Sequence, residues 1–174
     1  MRMDKMELTI PKALKLARHD FLNDLQIVLM QIDLGDVSKA KTAIMKTTEK
    51  LRQYSMLESL GLPETEKWML TFEWMFTSFH KTLVCGIKPG VREVDDWVLV
   101  AYLEGIFQGV EKALDPMSEY EACFDIKADE HNWSITITVT GTLPEKITAP
   151  IIKEKFIVEE TNSHNLWTFT IRGQ

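Results

Sequence analysis

The sequence predicts an α+β chain in two parts: an antiparallel helical hairpin over residues 1–62, then a domain over residues 63–174 whose helices lie against one face of a largely antiparallel sheet. Three features predict it. Apolar residues recur at three- and four-residue spacing through the first third, a Gly-Asp pair interrupts them after Leu34, and two-residue alternation dominates after Tyr120.

The first helix opens at Pro11, a first-turn proline. It carries Leu14, Ala17, Phe21, Leu22, Leu25, Val28, Leu29 and Ile32 in one continuous stripe. Gly35 supplies a C-terminal cap and Asp36 an N-cap for the second helix. There Val37, Ala40, Ile44, Leu51 and Tyr54 share a heptad-like face that ends near Gly61-Leu62-Pro63. So short a connection makes the helices antiparallel neighbours. Two helices cannot cover two apolar stripes. The hairpin is therefore expected to pair with a second copy as a four-helix bundle, packing against its own C-terminal region being the alternative.

Beyond residue 63, Trp68 to His80 reads as a short apolar helix or a helix–strand junction. Lys81 to Ile87 reads as a strand closed by Lys88-Pro89-Gly90, and Asp95 to Leu114 as a long buried helix stopped by Asp115-Pro116. Tyr120 to Lys127 and Trp133 to Thr140 are strands; in the second, Ser134, Thr136, Thr138 and Thr140 alternate with Ile135, Ile137 and Val139. Gly141 to Pro144 turns the chain, Glu145 to Lys153 is expected to be a short helix, and Phe156 to Glu160 and Leu166 to Arg172 close the sheet.

Composition bounds the function. With 45% hydrophobic and 26% charged residues the chain is an ordinary globular one. Its best apolar run, Trp97 to Leu103, falls far short of the roughly 18 residues a membrane span needs. The first dozen residues lack the apolar stretch of a secretion signal. The two cysteines, Cys85 and Cys123, have no metal-type spacing, and a reduced, cytoplasmic protein is expected. The net charge of −6 is uneven: residues 1–60 hold 10 Lys and Arg against 8 Asp and Glu, the remainder 10 against 18. No basic patch marks nucleic acid as a ligand, and the hairpin suits an acidic partner.

The local feature with chemical content is Ala17-Arg18-His19-Asp20-Phe21-Leu22-Asn23-Asp24-Leu25-Gln26. At about 100° per residue the apolar stripe is centred about 130° from His19, while Lys15, Asn23 and Gln26 share its side. The imidazole is aimed at solvent from a helix expected to be anchored in a core. A phosphoryl carrier requires such an arrangement, because in-line transfer depends on positioning and on a neutral, nucleophilic ring nitrogen. Lys15 and Arg18 are placed to steady phosphoryl charge, and Asn23 to bond its oxygens or orient the ring. From spacing alone an ordinary exposed histidine is the favoured reading. No metal site is expected: no second His or Cys follows at i+3 or i+4, and Asp20 lies about 100° round the helix. Asp20 and Asp24 read as solvated or docking charges, and His80, His131 and His164 as core or loop residues.

The string Arg18-His19-Asp20-Phe21-x-Asn23-x-Leu25-Gln26 resembles the phospho-acceptor box of the sporulation initiation phosphotransferase B family of spore-forming bacilli, and of the related citrate/fumarate-type sensor kinases. The order of elements also resembles that family, a hairpin followed by a domain similar to a histidine-kinase ATPase domain. The resemblance implies a homodimer whose hairpins form a four-helix bundle. His19 would take a phosphoryl group from the aspartate of one response regulator and pass it to another, with Lys15, Arg18, Asn23 and Gln26 at the phosphoryl or partner contact. Mg²⁺ would belong to the receiver domain of the regulator, and this chain would bind no cofactor.

The competing enzyme is a soluble sensor histidine kinase that labels His19 from ATP. Such kinases carry an Asn-rich helix that holds Mg²⁺ and an Asp-x-Gly-x-Gly segment that admits the nucleotide. Here the matching helix reads Leu103-Glu104-Gly105-Ile106-Phe107-Gln108-Gly109-Val110-Glu111-Lys112, with Gly105 and Gly109 where asparagines would stand. After the Trp133–Thr140 strand comes Thr140-Gly141-Thr142-Leu143-Pro144, with no Asp and one glycine. The expectation is an ATPase-like domain without nucleotide motifs, and a phosphotransferase that does not use ATP. A non-catalytic dimeric adaptor that docks regulators is the alternative from a different class.

Overall fold

The computed structural model describes residues 8–143, 156–163 and 165–173. The chain divides into two compact units, Met1–Arg52 and Gln53–Gln174. The division falls inside the second helix and not at residue 62, because Gln53, Leu57 and Leu60 are buried with the second unit.

In the first unit α1 (Ile10–Asp33) and α2 (Val37–Leu57) are joined at Gly35, whose φ of 75° a side chain would resist. The Asp36 carboxylate accepts from the Lys39 amide at 2.9 Å and pairs with Lys39 Nζ at 3.0 Å. Those bonds, the amide first, hold its carboxyl below the usual range. Between the helices lies a seam of short and polar groups. Ala40 is buried and Ala43 and Thr47 are half-buried on α2, as are Ala13, Leu16, Asp20, Asp24 and Gln31 on α1. No residue of α1 is buried. The large apolar residues form a separate face, the one expected to pair with a second copy. Leu14, Phe21, Leu22, Leu25, Leu29 and Ile32 of α1 and Val37, Ile44 and Leu51 of α2 are all exposed, Phe21 at 51%. The bulky residues are left for another surface.

The second unit holds α3 (Pro63–Met75), β1 (Phe79–Ile87), α4 (Asp96–Glu111), β2 (Tyr120–Ala128), β3 (Trp133–Thr140), β4 (Phe156–Ser163) and β5 (Leu166–Gly173). The sheet order is β1-β2-β3-β5-β4. β1 and β2 are parallel, joined through α4 as a parallel pair demands, and the other pairs are antiparallel. The predicted elements are present, with α3 a full helix and β1 starting two residues early; the Glu145–Lys153 helix and His164 lie outside the described residues. Alternation follows from burial: Phe124, Ile137 and Phe169 point into the core, while Thr136 and Thr170 face the other side with their hydroxyls 3.0 Å apart. The core face meets α3 and α4, where Phe72 lies 4.8 Å from Phe107 and 5.0 Å from Phe124 between ring centroids.

Two cross-element contacts brace this unit. The Asp96 carboxylate at the start of α4 accepts from the amides of Glu64 and Thr65, capping α3. On the outer edge of β1 the amides of Lys81 and Cys85 donate to Glu73 and Gln53, which blocks strand addition there. Glu66 sits close by with its carboxyl pushed up, first by partial burial and then by Glu58 and Asp96. With the folded value above the unfolded one, the ionised form costs stability at neutral pH, and that cost vanishes as the pH falls below 4.5. Glu66→Gln should therefore raise the melting temperature at pH 7 by about 2 °C, and thermal melts below pH 4 should show no gain.

Candidate functional site

His19 lies in the third turn of α1 with its side chain 70% exposed. Asn23, one turn on, places its amide nitrogen 3.3 Å from His19 Nδ1. Asp20 Oδ1 lies 3.5 Å from the same nitrogen, at the outer limit of a hydrogen bond. Asp20, expected as a solvated or docking charge, keeps 46% of its side chain exposed and also reaches the ring. Angular separation of Cβ atoms missed this, because two flexible side chains adjacent in sequence can converge across 100° of helix. An amide N–H donated by Asn23 needs an unprotonated Nδ1, whereas an ionised Asp20 accepts from Nδ1–H. The two agree when the Asn23 amide presents its oxygen, an orientation that the hydrogen-bond network decides. Nε2 has no hydrogen-bond partner among the described residues.

Lys15, Arg18 and Gln26 are exposed and carry no hydrogen bond or ion pair among the described residues. Asn23 alone of the expected companions touches the ring. No group of three or more His, Cys, Asp or Glu among the described residues is placed to hold a metal ion. His80 is exposed on β1 and His131 in the β2–β3 turn.

The other place with chemical expectations is the turn after β3. Gly141 has φ of 140°, and a Cβ there would lie 2.5 Å from the Tyr120 ring. Tyr120 is fully buried; its hydroxyl donates to the Thr142 carbonyl at 3.2 Å and accepts from the Asp115 amide at 3.1 Å. Leu143 is buried beside this turn. An aromatic side chain thus fills the space beneath the Gly141 turn.

Comparison with known proteins gives two findings. Residues 1–60 match the family model described as the Sensor_kinase_SpoOB-type, alpha-helical domain. Among solved structures the Acinetobacter baumannii histidine kinase AdeS is similar over 90% of this chain and 97% of that one, at 15% identity and a TM-score of 0.40. No curated protein matches the sequence. No described helix is long and apolar enough to cross a membrane. The hairpin that displays His19 is thus the part of the chain that matches a SpoOB-type sensor-kinase α-helical domain.

Proposed function

We propose that this chain is a histidine phosphotransferase that relays a phosphoryl group between the aspartates of two response regulators, as in a sporulation-type phosphorelay. The observation that carries the reading is His19 itself, exposed in the matched domain with Nδ1 held by Asn23 and Asp20 and Nε2 unencumbered. With Asp20 ionised and Nδ1 protonated, the Nε2 lone pair attacks the acyl phosphate of a docked receiver domain in line. The P–N bond forms as the P–O bond to the aspartate breaks. The carboxylate leaves with its electron pair, and the proton stays on Nδ1 against Asp20. The second receiver reverses these steps. Lys15 and Arg18 supply positive charge beside the transferred group, and Mg²⁺ belongs to the receiver pocket.

The chain acts as a cytoplasmic homodimer whose exposed apolar stripes pair in a four-helix bundle. The segments Leu103–Lys112, with glycines at 105 and 109, and Thr140–Pro144, with one glycine and no Asp, weigh against the kinase alternative. Incubation with labelled ATP should leave the chain unlabelled, whereas a receiver domain charged with labelled phosphate should label it and then lose that label to a second receiver. Self-labelling from ATP without any receiver would overturn this reading.

A further inference from the structure

In the second unit α3 and α4 pack on one face of the sheet, and the other face carries Thr136 and Thr170. At one end of that other face lies a cavity of about 930 Å³, a size that suits a small molecule. Trp133 and Ser134 line it, so it sits where β3 begins, the length of that strand away from the Gly141 turn. Strand pairing sets Gly86, Lys127, Ser134 and Arg172 side by side in one row across β1, β2, β3 and β5. All four line the cavity.

Gly86 is the unusual member of the row. Glycine inside a strand weakens it and often marks the close approach of a ligand or another backbone. Its φ is not positive, and a Cβ there would come no nearer than 4.0 Å to an atom beyond its chain neighbours, the Ile126 carbonyl oxygen. Neither conformation nor packing requires the glycine, and what it does is leave space above the sheet. Beside that space stand two cations. Lys127 and Arg172 are two strands apart, about 10 Å between Cα atoms, with Ser134 between them. Each is held by a carboxylate of the next row, Lys127 by Asp125 at 2.8 Å and Arg172 by Glu159, and such surface pairs exchange readily. Glu93 and Glu130 line the cavity from the β1–α4 loop and the β2–β3 turn, outside the row, and the Asp129 carboxylate accepts from the amides of His131 and Asn132. Met56, Ile87 and Val91 give an apolar wall. Loop and turn are tied together by Arg92, 6% exposed, which donates from Nη1 to the Asp129 carbonyl at 2.6 Å and from Nη2 to the Lys88 carbonyl at 2.7 Å.

We infer that this row is a binding site for a small phosphate monoester with an apolar body. The dianion sits over Ser134, matched in charge by Lys127 and Arg172. The guanidinium fork takes two of its oxygens and the Ser134 hydroxyl donates to a third. The apolar body occupies the space that Gly86 leaves, against Met56, Ile87 and Val91. A carboxylate offers the same donors one charge and two oxygens, and is the weaker ligand. The assignment does not depend on the relay reading of His19.

Calorimetric titration of the full chain with phenyl phosphate tests the site, with inorganic phosphate, benzoate and phenol as the other probes. Phenyl phosphate should bind, inorganic phosphate and benzoate should bind about tenfold more weakly, and phenol should not bind. Lys127→Gln and Arg172→Gln should each weaken phenyl phosphate about tenfold, by removing one charge-assisted contact. Gly86→Val should abolish binding while the melting temperature holds or rises, because valine is the better strand former. A wild type that binds no phenyl phosphate at about 10 mM overturns the inference, as does equal binding by the wild type and all three variants. Benzoate bound as tightly as phenyl phosphate overturns the assignment to a phosphate monoester. Should Gly86→Val fail to fold, the two charge variants decide: undiminished binding in both overturns the site, and a tenfold loss in each upholds it.

Discussion

His19→Gln should abolish passage of label from a phosphorylated receiver to a second one, a fall of at least about 10³-fold, with dimer mass and receiver binding retained. Gln keeps an uncharged polar side chain at an exposed position, so no stability loss can account for the effect. It removes the ring nitrogen proposed to attack phosphorus. The neighbours separate positioning from chemistry. Asp20→Asn removes the negative charge beside Nδ1, and Asn23→Ala removes the second restraint on the ring. Each should slow single-turnover labelling about 10- to 100-fold while leaving the half-saturating receiver concentration unchanged. Rapid-quench labelling reads both quantities. Undiminished transfer in His19→Gln would locate the acceptor elsewhere and end the case for a His19 relay.

Much of this site was legible in the sequence for a physical reason. A helix projects residues at fixed angles, so the exposure of His19 and its contact with Asn23 follow from spacing alone. The same rule failed for Asp20, because the angle between Cβ atoms says nothing of where two short flexible side chains meet. It also failed for the seam. Periodicity identifies the bulky apolar residues, and it is natural to pack those first, yet α1 and α2 meet through Ala13, Ala40, Ala43 and Thr47. Small residues carry little hydrophobic signal although they set how closely helices approach. In the second unit the strands were legible from alternation, as with Ile135, Ile137 and Val139. The Asp96 cap on α3 and the Gln53 bond to β1 were not, since each joins residues more than thirty apart. The filling of the Gly141 turn by Tyr120 lay beyond the motif comparison too, which recorded only missing asparagines and glycines.

Leu25→Asp combined with Leu29→Asp should convert the dimer to a monomer, halving the mass found by light scattering, and should stop transfer although His19 is untouched. Both leucines are exposed on α1, at 44% and 58%, in a stripe with Phe21 and Ile32 that α2 does not cover. Fully burying a Val, Leu, Ile or Phe side chain is worth about 1.5–3 kcal/mol, and the two stripes alone leave Leu14, Phe21, Leu22, Leu25, Leu29, Ile32, Val37, Ile44 and Leu51 in water. A seam of alanines, threonine and half-buried aspartates offers little to set against the entropy of ordering two helices. In the proposed bundle the stripes would pair across a two-fold axis and supply the missing burial, so each substitution would act twice in the assembly. The second unit has its own core of aromatic and aliphatic side chains and should keep its near-ultraviolet dichroism in the double variant. Loss of helix signal with the C-terminal signal intact would then report that α1 and α2 depend on pairing. A dimer of unchanged mass would show that the stripe serves some other contact, and the bundle would have to be given up.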